Sequence, residues 1–210
     1  MRAFYRKFLK RFLDTSVAII LGVLLSWLLV IVAILVKLTS KGPIFFKQER
    51  FGLNSKPFTL YKFRSMTNGA PVKANSEFED ITSYVTPFGM LIRKTSIDEL
   101  PQLLNIIKGD MSFIGPRPLA ITDKKVLVLR KKSGADQVRP GISGLAQVNG
   151  RNNITDENKA AYDAKYANNQ SIQLDTLLII ETIISVVKRE NVFKKISDND
   201  NTVDIDKDRV

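Results

Sequence analysis

Residues 17–36 read VAIILGVLLSWLLVIVAILV, twenty consecutive residues without a charge. At about 1.5 Å per residue, a helix of this length could cross a hydrocarbon core of roughly 30 Å. The run is long for the apolar part of a signal peptide, and no small-residue cleavage site follows it before Lys37. A buried core helix is the alternative, but the length of the run and its lack of charge favour a membrane-embedded helix.

Both flanks of this segment are basic. The first fifteen residues carry five Lys or Arg against one Asp, and residues 37–50 carry four against one Glu. Positive charge marks the cytoplasmic side of a membrane helix, so a simple span leaves one flank on the unfavoured side. A re-entrant helix, which returns to the face it entered, satisfies both flanks, and Ser26 is a weak candidate for its bend. From the residues alone, span and re-entrant helix both stay open.

The composition limits the chemistry that the chain can perform. It has 210 residues, a net charge of +11, no Cys and no His. The last fourteen residues hold five Asp against two basic residues, so the rest of the chain is more basic still and suits anionic partners. Disulfides, thiolate metal sites and nucleophiles activated by His are excluded. Catalysis must use carboxylates, Lys, Arg, Tyr or hydroxyl groups, and Mg²⁺ is the natural metal.

A β-hairpin is predicted after the apolar segment. Residues 44–50 and 57–64 have the composition of short strands, and the sequence Gly-Leu-Asn-Ser-Lys between them is turn material. Because side chains alternate along a strand, Lys62 and Arg64 should share one face. That face is either solvated or directed at a ligand.

Helical patterns dominate the remainder. Residues 157–166 and 174–188 both read as helices, and the second is so apolar that it packs in the core or rests on a membrane surface. Residues 126–132 fit a helix or a strand. The polar residues 67–83 indicate a surface loop, and the acidic residues 197–210 indicate a disordered tail.

Two adjacent carboxylates, Asp98 and Glu99, stand at the start of another predicted helix, which ends at Gly109. Its apolar residues have the spacing i, i+3, i+4, i+7 and are Leu100, Leu103, Leu104 and Ile107. Ser96 and Glu99 match a capping box, which explains one carboxylate in structural terms but not Asp98. At a helix start, with Arg93 and Lys94 upstream, Asp98 should stay ionised, as a nucleophile or metal ligand requires. A divalent cation would offset the repulsion between the two carboxylates.

Two further stretches contain candidate phosphate ligands. Pro116 and Pro118 fix the backbone on both sides of Arg117, which lowers the entropic cost of a bidentate contact to phosphate. The alternative is an extended connector with an incidental arginine. Residues 139–151 are rich in glycine and contain Arg139, Gln147 and Arg151, so they form either a ligand-binding loop or an ordinary turn.

Together these residues resemble the bacterial sugar transferases, small monotopic polyprenyl-phosphate phosphoglycosyl transferases, over roughly residues 12–192. The motifs that carry the resemblance are KGPIFFKQ at 41–48, YKFRSM at 61–66, DELPQL at 98–103, KGDMSFIGPRP at 108–118 and RPGISGLAQVNGR at 139–151. Several long motifs in this order leave little room for coincidence.

The resemblance implies a reaction. An enzyme of this kind moves a sugar-1-phosphate from a UDP-sugar to a polyprenyl (undecaprenyl) phosphate and releases UMP, as the first membrane step of polysaccharide or glycoprotein glycan synthesis. By position in the motifs, Asp98 corresponds to the nucleophile that forms a covalent phosphosugar intermediate. Glu99 corresponds to its partner, and both are expected near Mg²⁺. Arg117 corresponds to a phosphate-binding arginine, and the further candidates are Arg93, Lys62, Arg64, Arg139, Gln147 and Arg151.

The expected fold is α+β and helix-rich. It comprises a re-entrant membrane helix in residues 1–40, a small cytoplasmic catalytic domain in residues 41–196 with a short β-hairpin and amphipathic interfacial helices, and the acidic tail. The expected location is the cytoplasmic face of the bacterial inner membrane. The expected partners are a UDP-sugar, polyprenyl phosphate and membrane lipids, with homodimer formation left open and nucleic acid excluded.

One residue departs from the family pattern. The family usually breaks its membrane helix at a Ser-Pro pair, whereas Trp27 follows Ser26 here. Two alternative functions remain at this stage: a membrane-associated glycosyltransferase that releases UDP, and an inactive scaffold of a glycan assembly complex.

Overall fold

The computed structural model describes residues 2–67, 69–70, 82–150 and 154–187. Within them the chain is a helix-rich α+β protein with two small sheets of two strands each, as the sequence predicts. Arg151, the acidic tail and most of the predicted 67–83 loop lie outside the described residues.

The N-terminal apolar segment folds as a bent pair of helices. A π-helix at Tyr5–Leu9 runs into α1 (Lys10–Leu24), and α2 covers Ser26–Thr39. Among the described residues no single helix is long and apolar enough to cross a membrane, but the two halves qualify together and meet at an angle of 65°. The break is at Leu25, with φ −96° and ψ 6°, directly before Ser26. The chain therefore bends at the expected place without a proline.

Each half of the bent pair packs on the domain through a narrow inner face. Ala18 of α1 is fully buried in one core cluster, and Val32 and Val36 of α2 are buried in another. Apolar side chains around the bend have no such cover, since Val23 is 68% exposed and Trp27 63%. The domain thus holds the two helices while their apolar tip remains on the surface.

The predicted β-hairpin is confirmed. Strands β1 (Phe45–Phe51) and β2 (Pro57–Phe63) pair antiparallel, from Phe45 opposite Phe63 to Phe51 opposite Pro57. The turn between them includes Asn54 at φ 55°, a left-handed conformation that Asn tolerates better than most residues.

The segment with the two carboxylates differs from the predicted helix at its start. Residues Ile97–Gln102 form a 3-10 helix, and only Leu103–Lys108 are α-helical (α4, after α3 at Pro87–Lys94). Pro101 explains the difference, because it has no N–H to donate to the carbonyl of Ile97 in an α-helix. The predicted end is correct, since Gly109 adopts φ 95° as the C-cap.

The rest of the domain is built on a parallel strand pair. Strand β3 (Ser112–Ile114) pairs with β4 (Gly141–Ser143), and the backbones approach so closely at Gly115 that a Cβ there would lie 2.2 Å from the Arg139 carbonyl oxygen. The surrounding helices are α5 (Lys124–Ser133), α6 (Leu145–Val148), α7 (Asp156–Asn169) and α8 (Ile172–Val187). Helix α5 resolves the choice left open for residues 126–132, and α7 and α8 agree with prediction.

Helix α8 joins the N-terminal helix through a buried carboxylate. Asp175 Oδ2 accepts hydrogen bonds from the Tyr5 hydroxyl at 2.5 Å and from Lys10 Nζ at 2.6 Å, and its Oδ1 accepts one from the Tyr166 hydroxyl at 2.8 Å. Along the other side of α8, Ile179, Ile180, Ile183 and Ile184 are exposed. The helix is therefore partly core and partly surface, not wholly one or the other.

Candidate active site

A cleft lies between the hairpin, the 3-10 helix and the Gly115–Pro118 segment. Its polar lining comes from Arg50 of β1, Lys62 of β2, Glu99 and Gln102 of the 3-10 helix, and Arg117. Asn105 fixes the hairpin to α4, because its side chain accepts from the Tyr61 N–H at 3.2 Å and donates to the Thr59 carbonyl at 2.7 Å. Residues distant in sequence are thus held together around one opening.

Asp98 is almost wholly buried at the start of the 3-10 helix, with 8% of its surface exposed. Burial raises its pKa to about 6, and nearby Glu99 adds to the rise, while Lys62 and Arg93 oppose it. Desolvation therefore outweighs the local cations and the helix terminus, which the sequence argument invoked to keep Asp98 ionised. At neutral pH the carboxylate is still mostly ionised.

Glu99 pairs with Lys62 across the cleft, with Oε1 and Nζ 2.6 Å apart. The capping box predicted for Ser96 and Glu99 is absent. Ser96 is itself in a left-handed conformation (φ 56°) and its side chain makes no cap hydrogen bond. The side chain of Glu99 therefore contacts the hairpin.

Arg93, at the end of α3, lies beside the carboxylate pair. Burial lowers the pKa of its guanidinium group, as does the charge of Arg117, while Asp98 and Glu99 raise it. The structure thus brings five of the residues predicted from sequence into one electrostatic neighbourhood: Lys62, Arg93, Asp98, Glu99 and Arg117.

The backbone of Arg117 is held on both sides. The Pro116 carbonyl accepts from the Gly141 N–H at 2.9 Å, and the Arg117 carbonyl accepts from Arg130 Nη1 at 2.8 Å. Arg130 is in turn fixed by Asp163, whose Oδ2 lies 2.7 Å from Nε and 2.6 Å from Nη2. A buried ion pair between α5 and α7 therefore positions the segment from which the exposed Arg117 side chain extends.

Arg50 is the cleft residue that the sequence argument missed. It projects from the same face of the hairpin as Lys62, since Gln48 is opposite Leu60 and Arg50 is opposite Phe58. Burial and the neighbouring Arg117 lower its pKa to about 10, while Asp123 raises it. The alternation of side chains along a strand, which placed Lys62, would also have placed Arg50 on the same face if it had been applied to both strands of the hairpin.

Three predicted ligands lie elsewhere or outside the described chain. Arg64 follows the end of β2, and its guanidinium donates to the carbonyls of Pro43 and Ser40, so it caps the end of α2 instead of sharing the cleft with Lys62. Arg139 donates from Nε to the Gly109 carbonyl at 2.9 Å, at the end of α4. Arg151 lies outside the described residues.

Gln147 does not line the cleft, but its amide is unusual. Both Nε2 and Oε1 are buried without a hydrogen-bond partner among the described residues. The amide lies against Gly144, where a Cβ would be 3.0 Å from its Oε1. The residues after it, 151–153, lie outside the description.

The carboxylates limit what metal site the cleft can provide. Within the described ranges, no group of three or more acidic side chains is placed to hold a metal ion. Mg²⁺ is often bound by one or two carboxylates together with substrate phosphates. Asp98 and Glu99 fit that mode, and they do not form a metal site made of protein ligands alone.

Comparison with known proteins agrees with the motifs. A sequence model of the bacterial sugar transferase family matches residues 5–189. The uncharacterized sugar transferase EpsL of Bacillus subtilis (strain 168) is 45% identical over 88% of this chain and 90% of its own length. A UDP-glucose:undecaprenyl-phosphate glucose-1-phosphate transferase of Caulobacter vibrioides is 37% identical over 88% of this chain and 72% of its own length.

A third relative has a different sugar in its name. The UDP-N-acetylgalactosamine-undecaprenyl-phosphate N-acetylgalactosaminephosphotransferase of Aeromonas hydrophila is 40% identical over 86% of this chain, which spans only 44% of that protein. The extent of the family match, together with these identities, decides the assignment: the chain belongs to the bacterial sugar transferase family and is a phosphoglycosyl transferase.

Proposed function

We propose that the protein transfers a sugar-1-phosphate from a UDP-sugar to undecaprenyl phosphate, with release of UMP and Asp98 as the nucleophile. The observation that carries the proposal is a buried carboxylate, without an ion-pair partner of its own among the described residues, next to Glu99 in the lining of a cleft that also holds Arg50, Lys62 and Arg117. Such a cleft suits a substrate with two phosphates. The names of the Caulobacter and Aeromonas relatives support the same reaction.

In the first half-reaction, a carboxylate oxygen of Asp98 attacks the β-phosphorus of the UDP-sugar. An acyl-phosphate bond forms to Asp98, the bond between the β-phosphorus and the bridging oxygen breaks, and its electron pair leaves with UMP. Burial favours this attack because a poorly solvated carboxylate loses little hydration on reaching phosphorus. Lys62 and Arg93 offset negative charge on the β-phosphate.

In the second half-reaction, a phosphate oxygen of the lipid attacks the same phosphorus. The bond to Asp98 breaks, the carboxylate is regenerated, and the product is a polyprenyl diphosphate sugar. No general base is required, because at neutral pH both nucleophiles are anions. This agrees with a chain that contains no His.

Mg²⁺ is the proposed cofactor, with Asp98 and Glu99 as its protein ligands beside the substrate phosphates. When bound, it would neutralise part of the charge of the diphosphate.

The bent helix pair is proposed to dip into the cytoplasmic face of the inner membrane and return to it. The 65° bend, the exposed apolar tip and the basic flanks support this placement. The chain has no native Cys, so single cysteines at Ala3 and Lys41 can be labelled in sealed cells with a membrane-impermeant reagent. Equal accessibility is expected, and opposite accessibility would contradict re-entry.

Product analysis tests the reaction itself. The full-length protein in detergent, supplied with Mg²⁺, undecaprenyl phosphate and each of a panel of UDP-sugars, should release UMP with at least one sugar. Release of UDP would establish the glycosyltransferase alternative instead. The panel also identifies the sugar, which the relatives leave open between a hexose and an acetamido sugar.

The scaffold alternative is separated by a matched pair of variants. Asp98→Asn should abolish UMP release, whereas Asp136→Asn should retain it, because Asp136 lies away from the cleft with its Oδ2 3.1 Å from the Ser55 hydroxyl. Equal activity of wild type and Asp98→Asn would reject Asp98 as the nucleophile.

A further inference from the structure

Two guanidinium groups occupy one end of the cleft. Arg50 Nη1 lies 3.4 Å from the carbonyl of Pro118, the residue next to Arg117, and both arginines line the opening with Lys62. Within the described ranges neither arginine forms a salt bridge, whereas Lys62 is paired with Glu99. The Asp123 carboxylate acts on Arg50 less strongly than Arg117 does. Two like charges held close together without a salt bridge favour an anion between them.

Gln48, a neighbour on the same strand, fixes the orientation of the Arg50 guanidinium. Gln48 Oε1 accepts from Nε at 3.0 Å and from Nη2 at 2.6 Å. With the weak contact to Pro118, three of the five guanidinium N–H donors bond to described residues, so two of the five have no partner among them and can bind a ligand. Two donors in a fixed plane match two oxygens of one phosphate group.

The geometry of phosphoryl transfer then indicates which phosphate group would bind to Arg50. Entering and leaving oxygens lie roughly in line on opposite sides of the reacting phosphorus. In the first half-reaction Asp98 is on one side and the departing UMP phosphate on the other. In the second, Asp98 leaves, so the entering lipid phosphate must occupy the side that UMP vacated. Both groups are phosphate monoesters.

We propose that Arg50, oriented by Gln48, forms with Arg117 a single phosphate-monoester subsite that holds UMP in the first half-reaction and the lipid phosphate in the second. This inference rests on the proposed function. It assigns Arg50 a direct contact with both substrates and Gln48 a positioning role.

The test compares binding of three probes to the full-length protein. Calorimetry measures the affinity for UMP. The rate of UMP release gives the KM for a short-chain polyprenyl phosphate. Competitive inhibition gives the affinity for uridine, which lacks the phosphate. Arg50→Gln should weaken UMP binding at least tenfold, raise the polyprenyl phosphate KM by a similar factor and leave uridine inhibition unchanged; a charged hydrogen bond is typically worth about this much. Gln48→Ala should move the same two quantities less.

Lys47→Gln is the matched control. It removes one positive charge from the same strand, but its side chain lies over the Tyr61 ring on the other face of the hairpin, so UMP and lipid values should match wild type. If Arg50→Gln melts below the assay temperature, Arg50→Lys replaces it, since it keeps the charge and loses the planar pair of donors.

The outcomes separate the subsite from the reaction. An effect of Arg50→Gln on UMP alone, on the lipid alone or on neither would overturn the shared subsite, as would an equal loss for uridine. Failure of wild type to release UMP would instead overturn the proposed function. The inference stands only if Arg50→Gln weakens the binding of both UMP and the lipid phosphate while the wild-type enzyme is active.

Discussion

Asp98 and Asp163 are both buried aspartates with raised pKa values, yet their surroundings differ. Asp163 is 1% exposed, accepts a hydrogen bond from Nε of Arg130 and forms a salt bridge with its Nη2 at 2.6 Å. Asp98 is 8% exposed and has cations nearby, but no salt bridge among the described residues. The first arrangement satisfies a charge and fixes a segment of backbone. The second leaves a charge under-compensated beside an opening, as expected of a reactive group.

The largest expected effect follows from removing the reactive charge. Asp98→Asn should abolish turnover, with a loss of at least about 10³-fold, because it removes the carboxylate that is proposed to form the acyl phosphate, while Glu99 is held by Lys62. The free energy of unfolding, by contrast, should increase. Folding raises the pKa of Asp98 above the value of about 3.9 for an unfolded Asp, so the ionised form destabilises the fold at neutral pH, and the variant should gain about 1–3 kcal/mol.

Steady-state UMP release and chemical denaturation, measured on the same preparation, check both halves of this prediction. A variant that loses activity together with several kcal/mol of stability would mean that Asp98 is structural, like Asp163.

The second prediction concerns Asp163. Asp163→Asn breaks a buried ion pair and should cost about 3–5 kcal/mol of folding free energy, since it leaves Arg130 charged and unpaired. Arg130 also donates to the Arg117 carbonyl, so any folded fraction should bind UMP more weakly. Denaturation midpoints against wild type measure the first effect. Unchanged stability would show that Asp163 does not have the structural role that distinguishes it here from Asp98.

The third prediction uses the pKa of Asp98. The rate of the first half-reaction should reach its plateau about one pH unit above 6, be half-maximal near pH 6 and fall further below it, because the protonated carboxyl is not a nucleophile. The measurement should omit lipid phosphate, since phosphate monoesters themselves titrate near pH 6. A decline that begins only near pH 4 would mean that Asp98 has the pKa of an exposed carboxyl.

The smallest effect is expected at Lys62, whose positive charge lowers the pKa of Asp98. Lys62→Gln should move the acid limb of that pH profile to higher pH, whereas Lys47→Gln, on the outer face of the hairpin, should leave it in place. Comparing the two profiles separates a local contact from general surface charge. An identical shift in both variants would favour the general field.

Much of this arrangement is predictable from sequence, because it depends on local signals. The turn residues around Asn54 and the strand composition on both sides predict the hairpin, and Gly109 predicts the end of α4. Strand alternation, applied to both strands, places Arg50 and Lys62 on one face. The motif order was sufficient to identify the family and to select Asp98 and Glu99 as candidates.

What could not be predicted depends on contacts between distant segments. Pro101 is a local signal against an α-helical start, but it does not indicate that residues Ile97–Gln102 would form a 3-10 helix with Leu104 half exposed. Likewise, Arg64 caps α2 because tertiary packing brings the end of that helix to it, which strand spacing cannot show. The rise in the pKa of Asp98 could not be predicted either, because its burial involves the hairpin and α3, which pack against the 3-10 helix.

The most direct test of the account is the covalent intermediate. Wild type incubated with a competent UDP-sugar and Mg²⁺, without lipid phosphate, should gain the mass of one sugar phosphate by intact-protein mass spectrometry. Peptide mapping should place it on Asp98, and added polyprenyl phosphate should remove it. An unmodified protein that nevertheless releases UMP rapidly once lipid phosphate is present, or an adduct on a residue other than Asp98, would contradict the account.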